Sequence, residues 1–521
     1  MPNAKNDDLF HLIKSLEKSE KRNFKLYMKR VSGSEHFIIM QLFDAIDKME
    51  NYDEAALIRK NSNIKKHQLS NLKAHLTKQV LASLRILNED NDISVSVTEL
   101  IHNAHIYYNK GLYIQSLKVL NKAKTIAISY HLSFDLIQIL NFEKNIESLH
   151  ITRSMEHRAD MLTREVTETA RHIHLQGALS NLALNMYSWY IKRGHARNAA
   201  DVASLEEFFK NNLPVSSEAE LNFYEKMYYY QAHGWYYFIL QHLPMFYRYS
   251  QKWFNLFQDE PAMQLAEPDH YLKAFHNLLN AHFDTNNYHK FIEILNVFEE
   301  FSSNKIPRSN INLKVKTFVY LYTARINKHF LEGTFLQGVE MVPEINRKLN
   351  RFKLHLDKHR ILVFYYKIAC LYFGSGDNEN AILYLNKIIN ENYDLRTDLQ
   401  CYARLLHLIA HFELGNYRLI EYLLKSVYRF MYKMNNLSMV EKEIFFFLKQ
   451  SFNIPRSNII AAFGELKEKL EALENDKLET RSFMYLDIKS WLESKIRNVP
   501  VEHIRRELYF ARKDIKKSAI L

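Results

Sequence analysis

The sequence predicts an all-α fold built as an array of helical hairpins, on three observations. Glycine and proline number 11 and 9 in 521 residues, where average usage would give roughly 60 together. Both residues punctuate turns and strand ends, so a long chain nearly without them must be helix joined by short connections. Several of the few glycines also fall at similar points of a recurring pattern. Around them, apolar residues recur three and four positions apart, which places them on one face of a helix.

Residues 8–90 read as three or four helices: Leu9–Arg30, Glu35–Glu50, a short one near Glu54–Lys60, and Gln68–Leu87. They lack the recurring pattern, so residues 1–92 are expected to form an amino-terminal cap or a small basic helical domain.

The repeat occupies residues 93–435. In LIHNAHIYYNKGLYIQSLKVLNKAK, Leu100, Ala104 and Tyr107 share a first helix face, and Gly111 permits the left-handed turn that closes that helix. Tyr113, Ser116, Leu120 and Ala123 then line a second helix. The design returns at Tyr365, Ala369, Tyr372, Gly376, Ala381, Leu385 and Ile388, and again at Leu408, His411, Gly415, Tyr417, Ile420, Leu424 and Val427. Looser copies centre on Gly194, Gly234, Asn286 and Gly333. Ala281-His282-Phe283 before Asn287-Tyr288 matches Ala410-His411-Phe412 before Asn416-Tyr417 at the same spacing.

These residues resemble the tetratricopeptide repeat family, whose units are helix–turn–helix hairpins with small and aromatic residues at such intervals. The resemblance covers roughly residues 95–430. The sequence departs from the family in lacking its early tryptophan and, in most copies, the closing proline, and its turns are spaced 39 to 47 residues apart. The resemblance implies a tetratricopeptide-like α-solenoid of about seven or eight hairpins, each stacking on its neighbours to bury apolar surface it cannot bury alone. The segments SLEKSEKRNFKLYMKR and QLSNLKAHLTKQVLASLRIL are similar to the leading part of bacterial proteins of this type, a similarity that carries no activity with it. Residues 436–521 are expected to form a charged carboxy-terminal helical segment, with helices over Glu465–Arg481 and, after Pro500, over Val501–Lys517.

The totals narrow the class. The chain exceeds the roughly 250–300 residues at which a single core stops growing. Apolar residues at 47% and charged residues at 25% describe an ordered protein rather than a disordered one. No stretch approaches the roughly 20 apolar residues of a membrane span. Asp7 and Asp8 stand where a signal peptide would be basic and then apolar. Cys370 and Cys401 lie in apolar helical contexts, as buried thiols of a reducing compartment do. A soluble, cytoplasmic protein is expected. Its net charge of +11 favours anionic partners without naming one.

Two segments are candidate binding surfaces. Between Arg59 and Arg85 there are seven Lys/Arg, two His and no acid. If Arg59, Lys60, Lys65, Lys66, Lys73 and Lys78 converge, they would track phosphates in a salt-sensitive way. The plainer reading is the solvated face of amphipathic helices whose stripe is Leu69, Leu72, Leu76, Val80, Leu84 and Leu87. Residues 223–257 hold 15 aromatics. Neighbours in a helix are about 100° apart, so adjacent triples cannot all face the core. Tyr228, Tyr229 and Tyr236 are the candidates for facing a partner's peptide, as aromatics do at interface hot spots. The plainer reading is that they fill space between stacked hairpins.

Chemistry finds no foothold. His355/His359 and His407/His411 stand four apart, but neither first histidine is followed by the glutamate of a zinc peptidase. His282 and His411 occupy the aromatic position of the repeat, where packing accounts for them. Gly374-Ser375-Gly376 lacks the Lys-Ser/Thr and preceding strand of a phosphate-binding loop, and its position marks a turn. Ile306-Pro307-Arg308-Ser309-Asn310 recurs as Ile454-Pro455-Arg456-Ser457-Asn458, each before an apolar helical run whose start it is expected to set. No catalytic residues, metal or cofactor are expected. The expected function is a non-enzymatic scaffold that takes a partner protein's peptide or helix in a concave groove, the alternative being association with nucleic acid through the basic amino-terminal helices.

Overall fold

A computed structural model describes residues 7–30, 35–60, 63–88, 93–150, 157–390, 396–434, 437–452, 454–455, 457–474, 476 and 479–518. Among them the fold is all-α and helical-repeat-like, with no strand and with most helices packed on the next in sequence. The chain divides into two compact units, Met1–Val166 and Thr167–Leu521.

The first unit has two apolar cores. The helices Asp8–Ser15, Lys18–Arg30, Glu35–Lys48, Glu54–Lys60 and Leu69–Asn88 enclose one, around Ile13, Phe24, Leu42, Phe43, Leu57, Leu76 and Val80. The helix expected over Leu9–Arg30 is broken. Leu16 turns to extended backbone and its N–H returns to the Ile13 carbonyl. The Glu17 N–H then donates to the Glu20 carboxylate at 2.7 Å, which starts a second helix by satisfying a first-turn donor. The break sets Phe24 against Phe43, their rings 4.6 Å apart. The other core lies between Ile93–Asn109, Tyr113–Ser129 and Ser133–Leu149.

One turn geometry recurs down the chain. The backbone N–H groups of Leu112, Leu132, His242, Asn287, Thr334, Asp377 and Asn416 each donate to the carbonyl five residues earlier, at 2.8–3.0 Å. The residue before each of them has positive φ: Gly111, His131, Gln241, Asn286, Gly333, Gly376 and Gly415. This is the left-handed closure that satisfies the last carbonyls of a helix. The bonded carbonyl belongs to an aromatic residue or histidine in six of these seven, with His282, His329 and His411 equivalent; the same closure recurs at Asn498, where Val499 donates to the Ser494 carbonyl at 3.0 Å. The copy centred on Gly234 is a correction: that glycine lies inside the helix Phe223–Ile239, and the turn falls at Gln241, with φ 57°. Glutamine has no conformational preference that announces such a turn.

In the second unit the hairpins are Phe223–Ile239 with Leu243–Asp259, Pro268–Asp284 with Tyr288–Ser303, Lys358–Gly374 with Asn378–Ile389, and Thr397–Glu413 with Tyr417–Lys433. Ile311–Glu332 is followed instead by the short helix Phe335–Val339 and by Val342–Arg351. Together with Ala262–Ala266 and the helical ends, these pieces make the described helices more numerous than seven or eight hairpins require. Gly374 and Gly376 serve different needs. A Cβ on Gly374 would stand 2.6 Å from the Phe335 ring, whereas Gly376 takes φ 87° to make the turn.

The carboxy-terminal helices are Met439–Gln450, Ile459–Leu473, Thr480–Tyr485, Ile488–Arg497 and Val501–Ser518. The helix expected over Glu465–Arg481 stops at Leu473. Glu479 is buried and accepts the N–H groups of Met439 and Val440 at 3.0 Å each, and Ser482 donates to Glu441 at 2.6 Å. Glu479 thus caps Met439–Gln450 and stands before the separate helix Thr480–Tyr485. The last helix packs on Ile311–Glu332: Arg505 donates to the Phe330 carbonyl at 3.0 Å. Asn310 caps that helix by accepting the Leu313 N–H at 2.9 Å. In the second IPRSN copy, Asn458 begins Ile459–Leu473 without a side-chain cap, and Arg456 lies outside the described residues.

Candidate functional site

The second unit holds an open cavity of about 1310 Å³. The first helices of two hairpins, Pro268–Asp284 and Lys358–Gly374, and the helix Ile311–Glu332 between them build its walls. Pro268–Asp284 contributes His270, Lys273, His276, Asn277, Asn280 and Asp284; Ile311–Glu332 contributes Lys316, Tyr320, Thr323 and Asn327. From Lys358–Gly374 come His359, Arg360, Lys367 and Cys370, and Arg396 precedes Thr397–Glu413. Spacings of three and four put each set on one helix face, beside the stripe that enters the core. In Pro268–Asp284 that core stripe is Tyr271, Leu272, Phe275, Leu278 and Leu279, all buried.

The carboxy-terminal segment forms another wall through Phe483, Met484, Tyr485, Leu486, Asp487, Val501 and Arg505. Tyr485 anchors it. The Tyr485 hydroxyl donates to Asp398 and accepts from Arg396, both at 3.0 Å, and lies 3.2 Å from the Tyr190 hydroxyl. Its carbonyl accepts from the Tyr366 hydroxyl at 2.8 Å, and its ring stacks on Tyr402 at 4.7 Å.

Charge is distributed unevenly around the cavity. Lys316 pairs with Asp269 at 2.9 Å, Arg360 with Asp357 at 3.3 Å, Arg396 with both oxygens of Asp398 at 2.8 and 2.9 Å, and Arg505 with Asp487 at 3.2 Å. Burial alone would push the Asp398 carboxyl up, but Arg396 outweighs it and holds the acid down to about 2. Arg396 sits at φ 53°, a left-handed conformation that this bidentate pair retains. Lys273 and Lys367 have no ion pair among the described residues. Lys273 instead lies 5.8 Å from the ring centres of both Tyr187 and Trp253. Lys367 donates to Asn327 at 2.6 Å, with the Phe283 and Phe330 rings 5.5 and 5.4 Å away.

Burial pushes both ammonium groups down to about 8, and at Lys273 the neighbouring Lys316 and Arg360 add to the effect. The Asp284 carboxyl is pushed up to about 7 by burial, against the pull of Lys367. Burial likewise lowers His270 and His359 to about 4 and His276 to about 3, helped by Lys273, Arg396 and Arg360 respectively. These imidazoles are therefore neutral at pH 7. His276 stacks on Tyr320 at 4.3 Å, and Nδ1 of His270 has no hydrogen-bond partner among the described residues.

The residues singled out from the sequence lie elsewhere. Tyr228, Tyr229 and Tyr236 are half-buried and are not among the cavity-lining residues. Tyr236 stacks on Phe209 at 4.1 Å, Tyr229 meets His233 at 4.1 Å, and Tyr228 meets His270 edge-on at 6.2 Å. Arg59, Lys65, Lys66 and Lys78 are exposed. Lys73 is engaged internally by Asp7 and, at 2.9 Å, by the Tyr52 hydroxyl, while the Lys60 side chain lies outside the described residues. His407 and His411 are buried with their rings 4.4 Å apart. Neither cysteine forms a disulfide; Cys401 is buried and Cys370 reaches the cavity. Among the described residues, no cluster of three or more His, Cys, Asp or Glu is arranged to hold a metal, and no helix is long and apolar enough to cross a membrane.

Sequence reasoning missed Lys273, Lys316, Arg360 and Lys367. The signal was present as a polar stripe at helical spacing on each first helix, beside the apolar one. Such a stripe reads as a solvated face until neighbouring helices enclose it. No protein-family model matches this sequence, and no curated protein does.

Proposed function

We propose that the chain is a non-enzymatic protein-interaction scaffold, a tetratricopeptide-like array that holds a partner protein's peptide or helix in this cavity. The supporting observation is that Pro268–Asp284, Ile311–Glu332 and Lys358–Gly374, at successive positions in the array, each contribute one polar face to one cavity, which is how helical-repeat arrays form continuous binding surfaces. At about 1310 Å³ the cavity exceeds the roughly 300–1,000 Å³ of ordinary small-molecule sites. Its side chains offer hydrogen bonds to a peptide main chain from Asn277, Asn280 and Thr323, and apolar walls from Trp235, Tyr320 and Phe330.

The test is affinity purification of the tagged full-length protein from its own cells, with and without nuclease. It is repeated with Asn277→Trp, which obstructs the cavity. A stoichiometric protein that survives nuclease and is lost with the obstructed variant supports the reading. Unchanged recovery by that variant overturns it.

A second reading, contact with nucleic acid, rests on the four exposed cations Arg59, Lys65, Lys66 and Lys78. It requires that the full-length protein retard labelled DNA or RNA at about 50 mM salt and release it as salt rises. Absence of retardation removes it.

A further inference from the structure

Among the described residues, Lys273 and Lys367 lack the ion pair that Lys316, Arg360, Arg396 and Arg505 possess. Lys316, Arg360, Arg396 and Arg505 each have a carboxylate of this chain within 3.3 Å. Among the described residues Lys273 and Lys367 form no ion pair; their contacts are aromatic rings and, for Lys367, the Asn327 amide oxygen, with Asp284 acting on Lys367 from further off. An interior ammonium is tolerated when it is paired and is otherwise costly. The nearby acid Asp284 is an incomplete substitute, because burial at the carboxy-terminal end of its helix favours its neutral form. The three histidines are neutral and bring no negative charge. The cavity therefore carries surplus positive charge on half-buried side chains, where attraction for an entering anion exceeds that at the open surface.

We infer that the occupant is an acidic peptide segment, whose carboxylates pair with Lys273 and Lys367 while its main chain meets Asn277, Asn280 and Thr323. This rests on the scaffold reading and names the chemistry of its partner. A small anion would satisfy the two ammonium groups but leave most of the about 1310 Å³ unfilled. Aromatic and amide side chains on the same walls are what an extended peptide between the lysines would meet.

The probe is fluorescein-labelled hexaglutamate, with labelled hexaglutamine as its uncharged control, measured by fluorescence anisotropy against the full-length protein. Hexaglutamate binding is expected, falling at least tenfold with Lys273→Met, with Lys367→Met and further with both, while hexaglutamine does not bind. The single substitutions carry the test if the double variant does not fold, and Lys273→Arg is expected to restore binding in large part. No binding of hexaglutamate, or equal binding by the Met variants, overturns the inference. Inorganic phosphate that binds with the same lysine dependence while hexaglutamate does not would replace the peptide by a small anion, and also overturns it. Partner capture separates this from the scaffold reading. A partner recovered equally by wild type and the double variant leaves the scaffold standing and removes the acidic site. Lysine-dependent hexaglutamate binding without any captured partner supports the site and removes the scaffold.

Discussion

Replacing Lys273 with methionine should stabilise the ligand-free protein near neutral pH, the opposite of what most interior substitutions do. Methionine keeps the length and flexibility of the lysine stem and removes the charge. The Lys273 ammonium falls from 10.5 to about 8, about 2.5 units, and each unit is worth about 1.36 kcal/mol. The buried charge therefore costs about 3 kcal/mol at pH 7, an upper bound because water in the cavity screens part of it. The substitution also gives up the contacts with Tyr187 and Trp253, about 0.5–1 kcal/mol each. A net gain of about 1–2 kcal/mol remains. Its pH dependence identifies the cause. The folded-state value lies below the unfolded one, so between about pH 8 and 10.5 the unfolded chain binds more protons and wild-type stability rises with pH. The advantage of Lys273→Met is then largest below pH 8 and closes toward pH 10.5. Urea denaturation followed by tryptophan fluorescence at pH 7 and pH 10 reads both. A variant less stable at pH 7, or an advantage unchanged at pH 10, would refute the electrostatic reasoning and, with it, the surplus charge of the cavity.

Asp284 gives the reverse dependence: its carboxyl is raised to about 7, so wild-type stability should fall as pH rises from about 4 to 7, and Asp284→Asn should flatten that slope in denaturant titrations. Tyr485→Phe removes a hydroxyl shared by Asp398, Arg396 and Tyr190; it should cost about 1–3 kcal/mol in the same assay, and a neutral result would show that the carboxy-terminal wall does not depend on it. Gly333→Ala places a Cβ 2.6 Å from the Arg506 backbone N at φ 65°; it should cost about 2 kcal/mol or more and speed amide exchange in Val501–Ser518, whereas unchanged exchange would deny that this glycine seats the last helix.

The all-α class and many of the hairpins were legible because local chemistry carries them. Scarce glycine and proline leave helix as the default, and Gly111, Gly376 and Gly415 mark left-handed turns that other residues adopt at a cost. The equivalence of His282 and His411 was visible in two matching five-residue frames, and the structure adds His329 through the same hydrogen bond. Turns at His131 and Gln241 were invisible, since no glycine marks them, yet both residues take positive φ. The break at Leu16 is accompanied by a local Glu17–Glu20 bond, whereas Glu479, beyond the end at Leu473, is engaged by the amino terminus of Met439–Gln450.

The candidate site shows the division most clearly. Periodicity along Pro268–Asp284 determines that Lys273 shares a face with His270, His276 and Asp284, and along Lys358–Gly374 that Lys367 shares one with Arg360 and Cys370. Whether such a face meets open water or lines a cavity depends on helices more than a hundred residues away, among them the one that carries Tyr485. Position along a helix is a local property of the chain, whereas desolvation is a property of everything packed around it. The sequence by itself therefore determined the helices, many of their turns and the polar stripes. Only the tertiary structure decided that those stripes converge, that some of their cations are paired, and that Lys273 and Lys367 are not.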